Sequence, residues 1–290
     1  MILMDSCPQT TYISVEIVAD RANIFLNRPD KFNALNVEMI EELITIFEWT
    51  KQRSAGYQDA LCDANGQPFL RTLVLRGHGK HFCAGADINM MRDAGSNTQE
   101  ENRADAQRLD RLFNGLWSHP CFTITAAQGV ALGGGAGLVA CSDFVIAAPQ
   151  LKIALSEGKL GILPAVIGPY VYRRLGSATF RRLAMQASRI ATEEALRIGF
   201  IENIAEENQF DERIEGVINE ILTTGPCAVT QAKVLSLGFD RWTQTDEELR
   251  LWTLDFTSKM RGSNEGQEGL SSFLEKRPPQ WSPDLGKKVQ

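Results

Sequence analysis

Two stretches of small residues carry the pattern in this 290-residue chain that points to chemistry. They are His81-Phe82-Cys83-Ala84-Gly85-Ala86-Asp87 and Gly129-Val130-Ala131-Leu132-Gly133-Gly134-Gly135-Ala136-Gly137. Each follows an apolar, strand-like run and leads into a helix-like one. A strand that turns into a helix through small residues leaves the first N–H groups of the helix without partners. Small side chains let a ligand atom approach those donors, and the helix dipole adds partial positive charge at the same place. Two such ends aimed at one oxygen make an oxyanion hole, which stabilises negative charge developing on a carbonyl. Further along, Glu157 sits between Leu155 and the turn Gly161–Pro164. A carboxyl in apolar surroundings has its neutral form favoured by desolvation, which fits a proton shuttle. The plain alternative for any glutamate is a solvated surface acid.

The elements that must position these groups follow from periodicity. Ile13 to Val18 alternates as a half-buried strand, Ala22 to Leu26 is a second strand, and Ala19-Asp20-Arg21 turns between them. A helix is expected from the N-cap Asn36 to about Arg53, with Met39, Leu43, Ile46 and Phe47 on its buried face. Turn residues between 54 and 71 mark a surface insertion. Strands are expected at Thr72–Leu75, Phe122–Ala126, Phe144–Ala148 and Lys152–Leu155, with helices at Ile88–Met91, Gln99–Trp117 and Gly134–Ala140. Beyond Pro164 the pattern is helical: Ala165–Leu175, Thr179–Ala187, Thr192–Arg197, Phe210–Thr223, Pro226–Leu237 and Asp246–Met260, with one strand at Ile201–Ile204. Repeated strand–turn–helix units predict an α/β fold. We divide the chain into a core over 1–200 and a helical region over 201–290.

Bulk properties exclude several classes. With 30 Lys+Arg against 36 Asp+Glu, the net charge of -6 argues against nucleic acid as a partner. The six cysteines form no CxxC pair and the three histidines no zinc-type cluster, so neither a metal nor a redox cofactor is expected. Residues 120–142 carry no charge, but Pro120, Gln128 and the glycines make a poor membrane span. The N-terminus Met1-Ile2-Leu3-Met4-Asp5 shows no leader pattern, and a cytoplasmic location is the simplest expectation. There is no GxSxG elbow, no P-loop spacing and no GxGxxG.

Four segments, in this order, resemble the crotonase (enoyl-CoA hydratase/isomerase) superfamily over about residues 12–281. They are Leu26-Asn27-Arg28-Pro29-Asp30-Lys31-Phe32-Asn33-Ala34-Leu35, Gly79 through Ile88, the glycine segment 128–142, and Glu265-Gly266 with Phe273-Leu274-Glu275-Lys276-Arg277. The resemblance implies a crotonase-like spiral of βββα turns, a helical C-terminal trimerisation region, and a homotrimer or homohexamer. It implies an acyl-CoA thioester substrate, so that coenzyme A is part of the substrate and no separate cofactor is needed. It places the oxyanion donors on the N–H groups of Ala86 and Gly134, and matches Glu157 to one of the family's two catalytic glutamates. The other falls at Gly137 and is absent. Lys31 would lie near the CoA phosphates, with Ala34, Ala84, Asp87, Ile88 and Gly133 around the thioester, pantetheine and adenine. Phe273 and Lys276 would come from a C-terminal helix, of this subunit or a neighbour; surface charge and ordinary helix packing are the plain alternatives for Lys31, Lys276 and Phe273.

The runs Gly133–Ser142 and Leu160–Tyr170 look like the branch that hydrates 3-substituted glutaconyl-CoA thioesters, methylglutaconyl or isohexenylglutaconyl. Glu100–Asp105 resembles the former and Tyr172–Gly176 the latter. A distal carboxylate on such a substrate would call for a cation, with Lys159 and Arg92 as candidates. Hydration of a 2-enoyl-CoA is the leading expectation. A Δ3,Δ2-enoyl-CoA isomerase using the same Glu157, and a non-catalytic acyl-CoA-binding scaffold, are the alternatives.

Overall fold

A computed structural model describes residues 6–283. Met1–Asp5, read above for a leader, and residues 284–290 lie outside the described residues. Nine strands are assigned there: β1 (Ile13–Val18), β2 (Arg21–Leu26), β3 (Thr72–Gly77), β4 (Phe122–Ala127), β5 (Val130–Leu132), β6 (Phe144–Ala147), β7 (Lys152–Ala154), β8 (Ile190–Ala191) and β9 (Asn203–Ile204). The helices of the first half are α1 (Val37–Gln52), α2 (Ala55–Gln58), α3 (Ile88–Asp93), α4 (Gln99–Trp117) and α5 (Gly134–Cys141). Those of the second half are α6 (Gly168–Gln186), α7 (Thr192–Arg197), α8 (Phe210–Ile221), α9 (Pro226–Asp240), α10 (Asp246–Arg261) and α11 (Asn264–Leu274).

The strands form a six-stranded sheet in the order β1-β2-β3-β4-β6-β9, antiparallel only at β1–β2, and a three-stranded sheet β5-β7-β8. The chain passes back and forth between the two sheets. β4 belongs to the first and β5 to the second; β6 returns to the first and β7 to the second. Each passage ends in a helix or helical turn, so the chain advances as a spiral. The step from β4 to β5 is made at Gly129, whose φ of +66° and close approach to the Lys80 carbonyl (2.2 Å from a would-be β-carbon) leave no room for a side chain.

The central strands are apolar because both faces are covered. Leu73, Val74, Leu75, Ile124, Ala126, Val145 and Ile146 are fully buried. β1 is an edge strand: Ile13 joins the core and Val15 packs partly against it, while Ile17 and Val18 are exposed, so the alternation marks a core face over the first half of the strand. α1 begins at Asn36, whose side-chain oxygen accepts from the Met39 N–H at 3.0 Å, and Met39, Leu43, Ile46 and Phe47 are buried as its periodicity predicts. The two helices expected across 165–187 form one run, Gly168–Gln186, broken at Gly176 (φ +74°, ψ 167°). Between 54 and 71, Asn65, Gly66 and Gln67 are exposed in a turn around Asp63, whereas Phe69, Leu70 and Arg71 are buried. Arg71 donates to the carbonyls of Leu222, Thr224 and Trp281, tying the C-terminal part to the sheet. Among the described residues no helix is long and apolar enough to cross a membrane.

Candidate active site

Three loops are drawn together by short backbone ladders. β5 and β7 pair in parallel with Leu132 opposite Ala154, so both strands exit at the same end. The Gly133 N–H then donates to the Ala154 carbonyl at 2.9 Å, which sets the start of α5 beside the 3-10 turn Ser156–Leu160. Cys83 bridges Ala131, donating to the Val130 carbonyl and accepting from the Leu132 N–H, which lays residues 84–86 along the same edge. Leu35 bridges Ala86: its N–H donates to Gly85 and its carbonyl accepts from Asp87. Asn33, completely buried, closes this frame by donating to the carbonyls of His78 and His81.

The placement of the Ala86 and Gly134 N–H groups follows from these ladders. In a parallel bridge the flanking residues 85 and 87 make the bonds to Leu35, so the Ala86 N–H points to the opposite side. Gly134 is the first helical residue of α5, and its N–H has no carbonyl one turn back to accept it. The two segments touch: a β-carbon on Gly85 would lie 3.6 Å from the Gly134 nitrogen and 2.7 Å from the Leu132 carbonyl oxygen. Gly133, the N-cap, has φ +49° and ψ −115°, a conformation that favours glycine.

Glu157 stands at this junction. Its Oε1 is 3.2 Å from where a β-carbon on Gly133 would be. Its Oε2 is buried and makes no hydrogen bond within the chain. Burial raises the carboxyl's pKa above the ordinary value, with the backbone hydrogen bond at Glu157 pulling weakly the other way. A buried carboxyl oxygen without a partner is unusual in folded chains. Glu157 is also one of the residues that line the adjoining cavity.

That cavity has a volume of about 940 Å³ and takes its walls from Lys31, Ala34, Ala84, Ala86, Ile88, Gly133, Gly134 and Glu157 together. Other expected site residues are not brought there. Asp87 lies outside the lining: its carboxylate pairs with Arg28 at 3.2 Å and accepts from the Asn89 N–H, so it holds the loop rather than facing the cavity. Arg28 in turn donates to the Ala34 carbonyl, clamping the loops at 28–34 and 84–88 to each other. Phe273 is 82% exposed on α11, and neither it nor Lys276 lines the cavity within this chain. Lys159 does line it, whereas Arg92 does not.

Gly137, where the family's first glutamate would fall, is closed off. A β-carbon there would lie 2.4 Å from Ile167 Cγ2 and 2.8 Å from Phe113 Cε1. Sequence reasoning missed this, and it missed the wall supplied by α4. The only signal was the spacing of Ala106, Leu109 and Phe113, and helical periodicity does not tell a cavity wall from a core face.

The family described as enoyl-CoA hydratase/isomerase matches residues 16–284. The chain belongs to that family. A crotonyl-CoA hydratase of Syntrophomonas wolfei is 31% identical over 259 residues, 88% of this chain and 92% of the relative. The crystal structure of an enoyl-CoA hydratase from Shewanella pealeana shares 37% identity and a TM-score of 0.84, covering 94% of this chain and 97% of that one. AtuE of Pseudomonas aeruginosa shares 32% identity and a TM-score of 0.83, covering 94% and 100%. The fold is therefore crotonase-like α/β, and the activity is of the enoyl-CoA hydratase/isomerase type, on acyl-CoA thioesters.

Proposed function

We propose that this chain hydrates a 2-enoyl-CoA, adding water across the C2–C3 double bond, and that its substrate is a 3-substituted glutaconyl-CoA (isohexenylglutaconyl- or methylglutaconyl-CoA). One observation supports the reading: Ala86, the first helical residue Gly134 and the partly buried carboxyl residue Glu157 line a single cavity. The N–H groups of Ala86 and Gly134 hold the thioester oxygen as it gains enolate character. The Glu157 carboxylate takes a proton from water as the water oxygen bonds to C3. The same carboxyl then returns a proton to C2, because Ile167 and Phe113 fill the space a second carboxyl would need. A pKa raised by burial brings Glu157 closer to both roles.

Lys31, exposed on the cavity wall, is the group for the CoA phosphates, and Ala34, Ala84 and Ile88, which line the same cavity, are assigned to pantetheine and adenine. Coenzyme A is part of the substrate, and the reaction uses no other cofactor. The glutaconyl assignment is supported by the resemblance of segments 133–142 and 160–170, and Lys159 on the cavity wall is the cation for the distal carboxylate. Residues 201–290 form the oligomerisation region of a homotrimer or homohexamer. α10 buries no side chain, and it exposes Leu251 and Leu254, as α11 exposes Leu270, Phe273 and Leu274. In that assembly Phe273 and Lys276 reach a neighbour's CoA.

The single carboxyl also favours a second reading, a Δ3,Δ2-enoyl-CoA isomerase in which Glu157 carries a proton between carbons. Absorbance of the thioester-conjugated enone separates the two. Loss of the band with a 2-enoyl-CoA is expected for hydration, and its gain with a 3-enoyl-CoA would establish isomerisation instead. Acyl-CoA binding with no turnover of either would leave a non-catalytic scaffold.

A further inference from the structure

With Gly137 closed off, hydration is left one polar partner short. A water that adds to carbon must present a lone pair to C3 with both hydrogens turned away. One carboxylate oxygen fixes one hydrogen and leaves the water free to turn about that bond. Waters held inside proteins have about 2–4 polar partners.

A second oxygen stands beside Glu157. Ser156 is half-buried and lines the same cavity as Gly133, Gly134 and Glu157. Among the described residues its hydroxyl makes no hydrogen bond. A β-carbon on Gly133 would lie 3.2 Å from Glu157 Oε1 and 3.4 Å from Ser156 Oγ. Apart from the chain on either side of Gly133, the next atom is the Glu157 carboxyl carbon at 3.6 Å. The bare side of Gly133 is therefore bordered by one carboxyl oxygen and one hydroxyl oxygen. Hydrogen-bonded oxygens approach to about 2.8 Å, so a tight fit for a methyl group is an ordinary one for a water. The Gly133 N–H donates to the Ala154 carbonyl at 2.9 Å, which fixes this glycine against the start of the turn that carries Ser156 and Glu157. The next N–H along the chain is that of Gly134, assigned above to the thioester oxygen.

We propose that Ser156 and Glu157 together hold the water that adds to C3, in the space left by the missing side chain of Gly133. This rests on the hydratase reading under Proposed function. Glu157 Oε1 takes one hydrogen of the water as a proton. The Ser156 oxygen accepts the other in a hydrogen bond, and the serine keeps its own proton throughout. A lone pair of the water oxygen forms the bond to C3, and the C2–C3 π pair moves toward the thioester oxygen. The proton on Glu157 then passes to C2, which restores the carboxylate. Ser156 serves the addition of water and has no part in proton transfer at C2.

The test sets hydration against a reaction of the same site that adds no water. Ser156→Ala is compared with the parent in hydration of crotonyl-CoA and in exchange of the C2 hydrogens of butyryl-CoA with D2O, followed by NMR. Hydration kcat should fall by about 10- to 100-fold, as loss of an orienting group does, with KM changed by less than about threefold. Exchange, which draws on Glu157 and the main-chain donors, should fall by no more than about threefold. Ser156→Thr, which keeps the hydroxyl, should recover most of the hydration, and calorimetric binding of butyryl-CoA checks that each variant is folded. Hydration by Ser156→Ala at the parent's rate would overturn the inference and leave the hydratase reading standing. Equal losses in hydration and in exchange or binding would give Ser156 a structural role only and overturn it too. A parent that exchanges C2 hydrogens but hydrates no 2-enoyl-CoA would refute the hydratase reading, and the water site with it.

Discussion

The first turns of α5 and the 3-10 turn Ser156–Leu160 border the same cavity and treat side chains in opposite ways. On α5, a β-carbon at Gly135 would lie 2.3 Å from the Cys83 carbonyl oxygen, and one at Gly137 would lie 2.4 Å from Ile167. Backbone at Gly135 is pressed against backbone at Cys83, and Gly137 against the side chains of Ile167 and Phe113, so no side chain fits at these two positions of α5. On the 3-10 turn the packing is looser: a β-carbon at Gly158 would sit 3.3 Å from that of Ala187, and one at Gly161 would meet nothing within 4 Å. Here a carboxyl reaches the cavity with one oxygen unpartnered. The contrast separates two tasks. Under the proposed mechanism, stabilisation of charge falls to main chain and proton transfer to one replaceable side chain.

Several substitutions would break or sharpen that division. The largest effect is expected from Glu157→Gln, which keeps the shape and removes the titrating group. Turnover should fall by about 10³-fold or more, as loss of general acid–base catalysis does, while acyl-CoA binding persists. Stopped-flow absorbance with calorimetry checks both, and full activity would remove Glu157 from the mechanism. Next comes Ala86→Pro, which deletes one donor. Loss of about 3–4 kcal/mol of barrier stabilisation is expected, seen in kcat rather than in binding.

Gly137→Glu is a smaller, structural effect. Forcing a side chain against Ile167 and Phe113 should cost about 1–3 kcal/mol in urea unfolding, with part recovered when Ile167→Ala is added. A Gly137→Glu variant as stable as the parent would show that the position is open after all. The smallest effect is in pH. Burial raises the Glu157 pKa above its ordinary 4.5, so the acid limb of kcat/KM belongs above pH 4.5. The folded chain then holds this proton more tightly than the unfolded one. Its contribution to stability is present in acid and is lost as the pH rises through the folded pKa. Stability of Glu157→Gln should therefore match or exceed that of the parent at pH 8, measured against the same comparison at pH 4.

Much of the fold was legible because its signals are local. The apolar runs at 72–75 and 122–126, the cap at Asn36 and the glycines before α5 each act within a few residues. What was missed has a common cause. β5 and β8 are three and two residues long, too short to show a period, and they exist because β7 lies between them. α11 (Asn264–Leu274), expected only through the resemblance as the helix that carries Phe273, buries only Ser272. Asp87 was placed at the ligand because its neighbours are there. Its carboxylate instead turns back to Arg28, a partner 59 residues away in the chain.

By itself, then, the order of residues determined that strands feed helices through small residues, that two such junctions exist, and that one glutamate follows them, since all of this depends on neighbours in the chain. Only the tertiary structure decided that the two junctions meet at Gly85 and Gly134, that Glu157 comes up beside Gly133, and that Ile167 occupies the place of a second acid. Those outcomes are set by the register between strands and by which bulky side chain reaches a gap first. Both depend on contacts between residues far apart in the chain, which no local pattern encodes.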